Sequence, residues 1–558
     1  MNVEQTVPHT TQLYMQGMLH IPICYDIYIF LASAPTQPYL HLQPPSFENP
    51  IITMLTQPLL ADANDANHDN IEINPESAEK SNFTMFFDTL PLRKIVSSLK
   101  NFFHSLGLVL LPSFLHFLFT VPASNLTAPS LNSTYSNELD YLIGVRGFAS
   151  IIVFVYHWMH GSFHETIDYA YGDRINTGSE PSELHHMHIY QLPLLRVCYA
   201  AEAMVALFFI LSGFILSYQP AQQMRDQTPI AALSTHAFRR APRLFLPALA
   251  ATLLAFVLYL TDAITLPTKS SHSILGQKSR TLLDFLYNLI VSGIWTWETR
   301  PGPDWALHPH LWTVPTEWRC SMALFALLLS TASRKPSTRF VLEVCVTMWC
   351  LAAGRWDVAL FTAGAALAEL RVKHEAQDLP ISRSRRSQSV KRITLWEWVC
   401  TATLTLTLLL GLLLAGYPRV PPSPSTPLYG LLAAVVNGRE EGRRLFYALG
   451  AVLILLSLDR LELLQKFFRS RVALYFGRIS YALYLVHGLL VRSIGQWVLN
   501  TVWRIRIGGE DNYGKGEGLG FNAKFGLASA LFIPVVIWVA DLFERGVERR
   551  LVRWTKQL

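Results

Sequence analysis

The sequence predicts an all-α, polytopic membrane protein with about ten transmembrane helices behind a largely disordered N-terminal leader. Three observations carry that prediction. Apolar residues make up 51% of the chain against 15% charged, with a mean hydropathy of +0.26. Several apolar runs approach the roughly 20 residues that a spanning helix needs. One choice of orientation also places five Lys/Arg-rich clusters on the same side, as cytoplasmic loops require. The net charge of +6 is dispersed over loops rather than gathered into a basic arm with interleaved aromatics, which argues against a nucleic-acid partner. The cysteines show neither C-x-x-C spacing nor the framework of a secreted fold, so Cys198, Cys320, Cys345, Cys350 and Cys400 read as small core residues.

Residues 1–100 mix Pro-rich text with the acidic, Asn-rich piece ADANDANHDNIEINPESAEKS, which lacks the apolar content to pack; a disordered leader is expected. The apolar patch at 21–34 is broken by Asp26 and lacks a basic n-region, which weakens a signal-peptide reading. Residues 101–138 form a membrane-proximal segment in which 102–121, with Pro112 and two histidines, reads as an interfacial helix or an extra span. A membrane domain follows over 139–545. Its apolar segments fall at about 143–160, 199–217, 244–261, 312–331, 339–352, 356–370, 399–417, 443–458, 472–494 and 524–543. An inside start for the first of these puts FRRAPR, SRKPSTR, the 371–392 loop, KFFRSR and the basic tail at 546–558 in the cytoplasm. It also makes 282–297 a re-entrant or interfacial piece of a long outer loop. The N-x-[ST] sequons at Asn82, Asn125 and Asn132 all precede the first span, and the last two face the cytoplasm in this topology.

The stretch RGFASIIVFVYHW places Arg146 and His157 eleven residues apart. At 100° per residue they share one helix face, about 16 Å apart along the axis. An arginine within a span costs on the order of 2.5–3.5 kcal/mol on insertion scales, so such residues face a polar cavity more often than lipid. Snorkelling of Arg146 and a helix contact by His157 account for the pattern about as well. Chemistry raises the functional side: histidine has the pKa best suited to taking a proton from a hydroxyl near neutral pH, and an arginine on the same wall can hold an anionic cosubstrate.

Four other stretches bear on the same question. FRRAPRLFLP sets Arg239, Arg240 and Arg243 at the cytoplasmic entry of the third span, where planar guanidinium donors grip phosphates or simply mark the inside. LWTVPTEWRCS carries Glu317 just after Pro315, either as a first-turn acid or as a carboxylate that pairs with an arginine or orients a base. ISYALYLVHG puts Ser480, Tyr484 and His487 on one face, as a substrate site or a polar helix contact. LFFILSGFILS holds Ser212 and Gly213 in mid-span, where close helix packing is the simpler account. The tryptophans 295, 297, 305 and 312 suit an interfacial belt better than sugar stacking.

Taken in this order, LDYLIGVRGFASIIVFVYHW, LFFILSGFILS, RRAPRLFLP, LWTVPTEWR and ISYALYLVHG resemble the acyltransferase 3 family of integral-membrane acyltransferases, particularly its fungal members, over about residues 139–543. The resemblance implies a ten-helix domain that moves an acyl group, often acetyl, from acyl-CoA on the cytoplasmic side to a hydroxyl of a glycan, lipid or small metabolite. It implies that His157 is the catalytic base, that Arg146 helps hold the donor, and that Arg240 and Arg243 contact its phosphates, with Glu317 in the polar network of the site. Acyl-CoA enters as a cosubstrate, with no bound cofactor or metal. The other partners are membrane lipid and a hydroxyl-bearing acceptor, in a secretory-pathway or plasma membrane. Two positions depart from many relatives: Tyr141 stands in place of Gly, and Ala206 in place of an acidic residue two before the Phe208–Phe209 pair. Two other classes compete. His157, His160 and His164, with His185, His186, His188, His308 and His310, offer imidazoles to iron as in a membrane hydroxylase or desaturase. Buried Arg, Glu and His in ten spans also suit a transporter, although no internal repeat is evident.

Overall fold

The computed structural model describes residues 139–176, 181–185, 187–226, 232–261, 263–264, 309–382, 395–436, 440–505 and 519–557, together with Pro112. The expected leader, the sequons, the 282–297 segment and all of 102–121 except Pro112 lie outside these residues, as do His186 and His308.

The described helices are α1 (Asp140–Ile167), α2 (Ala201–Arg225), α3 (Ala232–Leu260), α4 (Thr313–Thr331), α5 (Pro336–Ala352), α6 (Trp356–Ser382), α7 (Leu395–Ala415), α8 (Tyr429–Val436), α9 (Glu440–Leu458), α10 (Glu462–Phe468), α11 (Arg471–Leu490), α12 (Gln496–Trp503), α13 (Leu519–Phe543) and α14 (Arg549–Gln557). Each of the ten apolar segments predicted from the sequence falls on one of the longer helices. Six stretches, however, are long and apolar enough to cross a membrane among the described residues: Asp140–Phe163, Ala201–Arg225, Leu233–Leu260, Leu395–Ala415, Arg471–Trp503 and Gly520–Thr555. The other four differ for local reasons. Helix α5 has only 17 residues, short of a bilayer's roughly 20. Helices α4, α6 and α9 carry charge within their length, such as Glu317 and Arg319, Asp357 and Glu369, and Arg443 and Arg444. The all-helical expectation is interrupted once, where β1 (Arg174–Asn176) pairs antiparallel with β2 (Pro181–His185).

Local chemistry sets the helix ends. Helix α11 begins where the Ser470 hydroxyl accepts from the Ala473 N–H at 3.3 Å. Helix α5 starts with Pro336, whose missing N–H has no intrahelical partner to lose. Two π turns, Val491–Gly495 and Glu544–Glu548, join α11 to α12 and α13 to α14.

Packing divides the buried apolar residues into two clusters. One gathers α1, α2, α4, α6 and α9 around Leu142, Phe209, Phe214, Phe361 and Leu455. The other gathers α3, α4, α11 and α13 around Leu244, Val314, Leu485 and Phe532. Helix α1 belongs to both: Val145, Ala149 and Val153 enter the first cluster, Phe154 and Trp158 the second. The close approach of α1 to α11 depends on Gly147 and Gly477, because a Cβ on either would overlap the facing backbone. Gly213 plays the same part between α2 and α6, where Phe361 and Gly364 face it, as the mid-span packing account requires.

KFFRSR and the start of the 371–392 loop meet the N-terminal end of α1, and the basic tail meets α3. Phe468 of KFFRSR packs on Gly144, the guanidinium of Arg469 lies over the Tyr141 ring at 5.8 Å, and α14 of the tail packs on α3. Arg371 reaches Asp459, which accepts from the Tyr141 hydroxyl at 3.0 Å. Tyr141, one of the two departures from related sequences, is thus a buried strut. The cysteines split: Cys320 and Cys350 are buried as expected, whereas Cys198, Cys345 and Cys400 are exposed on the protein surface. Cys400 stands on α7 beside exposed Trp396, Trp398 and Leu406, the apolar surface of a helix that faces lipid.

Candidate active site

Two cavities lie along the seam where α1 touches both clusters. The first, at the basic end, is lined by Arg146 of α1, Ser212 of α2, Arg240 and Arg243 of α3, Glu317 of α4, and Ser480, Tyr481 and Tyr484 of α11. The second, about 370 Å³ against about 150 Å³ for the first, is lined by Tyr156 and His157 of α1, Glu202 and Ala206 of α2, His310, Trp312, Trp356, Arg419, Arg444 and Tyr447. Val205, Thr313 and Tyr484 belong to both linings, so one narrow wall separates the cavities. Three helical turns of α1 therefore bring Arg146 into one chamber and His157 into the next, on the shared face that their spacing predicts.

In the first cavity, Glu317 is tied to arginine rather than to histidine. Arg240 Nη2 donates to Glu317 Oε1 at 2.6 Å, and the Ser212 hydroxyl donates to the same oxygen at 2.9 Å. Arg240 Nε donates to Ser321 Oγ at 3.2 Å, whose own proton goes to the Glu317 carbonyl at 2.6 Å. Ser212 is thus part of the site, in addition to its place beside the packing residue Gly213. Three arginines face two glutamates, Glu317 and Glu548, and Arg240 already accounts for Glu317. The balance is positive and suits an anion with several oxygens, since each charge-assisted bond is worth about 1.5–3 kcal/mol. Glu548 is delivered by the π turn Glu544–Glu548, an irregularity of the kind often found at functional sites.

Tyr484 builds the dividing wall. Its hydroxyl pairs with Thr313 Oγ1 at 2.5 Å and donates to the His310 carbonyl. Tyr481 donates to the Leu244 carbonyl at 2.6 Å and ties α11 to α3. Ser480 is 1% exposed and donates within its own helix to Gly477 O at 2.8 Å.

In the second cavity, His157 stands beside His310, with ring centroids 4.2 Å apart. His487 closes the group from behind, 5.3 Å from His157 and 4.8 Å from His310 between centroids. It is 1% exposed and lines neither cavity. Nitrogens of the three rings lie within 4.8 Å of one another. Among the described residues of the histidine clusters, His157 and His310 contribute to this group, whereas His188 stacks on Tyr190 and His160 pairs with Asp168 at 3.4 Å. Trp312 lines the cavity and not an interfacial belt. At the cavity mouth Arg419 donates to Tyr156 Oη at 2.8 Å, and Tyr156 in turn to Asp168 at 3.3 Å. Burial raises the Asp168 pKa, but His160, Arg419 and Tyr156 outweigh it and hold the carboxyl below its ordinary range.

Sequence reasoning named eight site residues, of which Arg146, Arg240, Arg243, Glu317, Ser480 and Tyr484 line the first cavity, His157 lines the second and His487 lines neither. It missed Ser212, Thr313 and Trp312 as lining residues. The second cavity also draws on Glu202, Arg419 and Arg444, which stand outside the recognisable motifs.

Comparison with known proteins gives the family. Residues 139–544 match the acyltransferase domain family, and so nearly the whole described unit. The chain is 26% identical over 448 residues to acyltransferase clz18 of Cochliobolus lunatus, covering 73% of this chain and 93% of the relative. It is 25% identical over 450 residues to acyltransferase R4 of a Phoma species, with 73% and 93% covered. It is 28% identical over 450 residues to O-acetyltransferase PaAT-1 of Phomopsis amygdali, with 75% and 84% covered. No solved structure matches the chain. The five collinear motifs all fall within the matched residues: the chain belongs to the acyltransferase 3 family and is a multi-pass membrane protein that transfers acyl groups.

Proposed function

We propose that the protein is an O-acyltransferase that moves an acyl group, acetyl in the simplest case, from acyl-CoA to a hydroxyl of a small or lipidic acceptor. The observation that carries this reading is the contact of two chemically opposite cavities across the Val205–Thr313–Tyr484 wall. The basic cavity takes the donor: Arg240 and Arg243 contact its phosphates at the entry, Glu317 holds Arg240 in place, and Arg146 stands deeper along α1. The acyl thioester points toward the wall, where Ser480 and Tyr484 lie beside its path. In the second cavity, the acceptor hydroxyl rests against His157.

The reaction needs no covalent enzyme intermediate. His157 takes the hydroxyl proton as the oxygen attacks the thioester carbonyl, the C–O bond forms, the C–S bond breaks, and the proton returns to the departing sulfur. Ester and free coenzyme A are the products. The aromatic lining by Trp312, Trp356 and Tyr447 suits an acceptor with an apolar body. Ala206 on the same wall, in place of the acid present in many relatives, leaves room there and separates this acceptor from theirs.

Purified protein in mild detergent, given acetyl-CoA and a panel of alcohols and sugars, is expected to release free thiol, and His157→Ala to abolish the release. Retained turnover in His157→Ala, or a labelled acyl group trapped on the protein without acceptor, would overturn direct transfer by His157.

A further inference from the structure

We infer that His487 is a positioning residue for His157: its Nε2 receives the N–H of the His157 imidazole while the other His157 nitrogen handles the acceptor's proton. The inference deepens the proposed reaction and rests on it for the role of His157.

Three observations lead to it. First, the His487 Nδ1 lies 3.1 Å from the Leu483 carbonyl oxygen. A carbonyl can only accept, so Nδ1 carries the proton and Nε2 keeps a lone pair. Second, that Nε2 is buried and has no hydrogen-bond partner. A buried acceptor left unmade forfeits its hydration without compensation, which the fold tolerates here in a residue only 1% exposed. Third, nitrogens of His157, His310 and His487 all stand within 4.8 Å of one another, a gap closed by a small side-chain rotation or by one bridging water.

His157 is the donor that this acceptor fits. His310 lines the cavity beside His157 and is held from below by Gly488, where a Cβ would overlap its ring, and through its carbonyl by Tyr484. His310 therefore belongs to the substrate side, and His487 to the side behind. The charged and titratable groups around His157 are Tyr156 and His160 on its own helix, His310 before α4, Tyr484 and His487 on α11, Glu202 on α2, and Arg419, Arg444 and Tyr447 across the cavity. Two guanidiniums on one cavity disfavour further positive charge, so the partner of His157 works best as a neutral acceptor. They also oppose a divalent cation among the three imidazoles. Proton transfer to His157 places a positive charge on its ring, and a lone pair on the second nitrogen stabilises that charge and fixes which nitrogen faces the hydroxyl. A carboxylate does the same in hydrolase triads.

The test follows His157 directly and needs no acceptor. The rate at which diethyl pyrocarbonate modifies His157 in the purified full chain, read by mass spectrometry across pH, reports the basicity of that ring. Removing the acceptor in His487→Phe should move the midpoint down by about one pH unit. His487→Gln, which returns an oxygen near the place of Nε2, should recover most of the shift. His487→Asn, shorter and polar, should behave like His487→Phe and serves if the larger ring perturbs folding. In the thiol-release assay, His487→Phe should lower kcat on the order of 10²-fold, leave the KM for acetyl-CoA unchanged and move the acid limb the same way. An unmoved His157 midpoint in both His487→Phe and His487→Asn overturns the inference. So does one equivalent of transition metal in the wild type that is lost in these variants, which would make the three histidines ligands. Absence of thiol release with an intact midpoint shift would instead defeat the proposed reaction and leave the His157–His487 pairing standing.

Discussion

The two cavities share a wall but are built on different principles. The basic one is an electrostatic device: the Arg240 guanidinium is fixed by Glu317 and Ser321, and Glu317 in turn by Ser212, through bonds of 2.6–3.2 Å, and nearly every polar lining residue lies in a motif visible in the sequence. The histidine cavity is an assembly of aromatic rings and imidazoles drawn from α1, α2, the turn before α4, the loop after α7 and α9. In the function proposed above, the basic chamber takes the donor and the histidine chamber the acceptor, and Tyr484, Thr313 and Val205 stand between them.

The largest effect that would break this comparison is at the shared chemistry. His157→Ala should lower kcat on the order of 10²–10⁴-fold with the KM for acyl-CoA little changed, because a general base contributes in the transition state and not to donor binding. Initial-rate kinetics decide this, and a rise in donor KM would move His157 out of the acceptor chamber. Next is Arg240→Ala, which removes donor contacts and leaves Glu317 without its partner at 2.6 Å. The expected outcome is a donor KM raised by roughly 10- to 100-fold, as loss of one or two charge-assisted bonds implies, with the acceptor KM unaltered. Glu317→Gln should reproduce a weaker form of the same defect.

Smaller again is Trp312→Ala, expected to raise the acceptor KM roughly 3- to 10-fold through loss of an aromatic contact while donor kinetics hold. The smallest effect concerns the mouth of the acceptor chamber. The Asp168 carboxyl is held below its ordinary range by His160, Arg419 and Tyr156 against the opposing effect of burial. Its folded-state pKa is thus lower than its unfolded one, so its contribution to stability is complete above the unfolded value near 3.9 and fades as pH falls through the folded value. Asp168→Asn should lower the melting temperature near neutrality, where that contribution is complete, and flatten the acid side of the profile, so that the two proteins converge as pH falls.

The same contrast explains what could be read from the chain alone. Arg146 and His157 share a helix, so a 100° period was enough to place them on one face. The Arg240–Arg243 spacing and the position of Glu317 after Pro315 likewise declare themselves locally. That Glu317 would face Arg240 and not His157 depends on how α3 meets α4, which no spacing within either helix encodes. His310 sat among several histidines of equal claim, and what distinguishes it is the Gly488 seat on α11, a long-range contact. Arg419 and Arg444 lie outside helical motifs of any recognisable period and enter the site only through tertiary packing. The span count diverged for a local reason: α5 has only 17 residues, and α4, α6 and α9 carry charged groups within their length.

The division of labour between the chambers is the central claim, and binding without turnover tests it most directly. Isothermal titration of a non-hydrolysable thioether analogue of acetyl-CoA into the purified wild type, Arg240→Ala, Trp312→Ala and His157→Ala should give tight binding to all except Arg240→Ala. Undiminished binding to Arg240→Ala, or binding lost in Trp312→Ala, would contradict the assignment of the donor to the basic cavity.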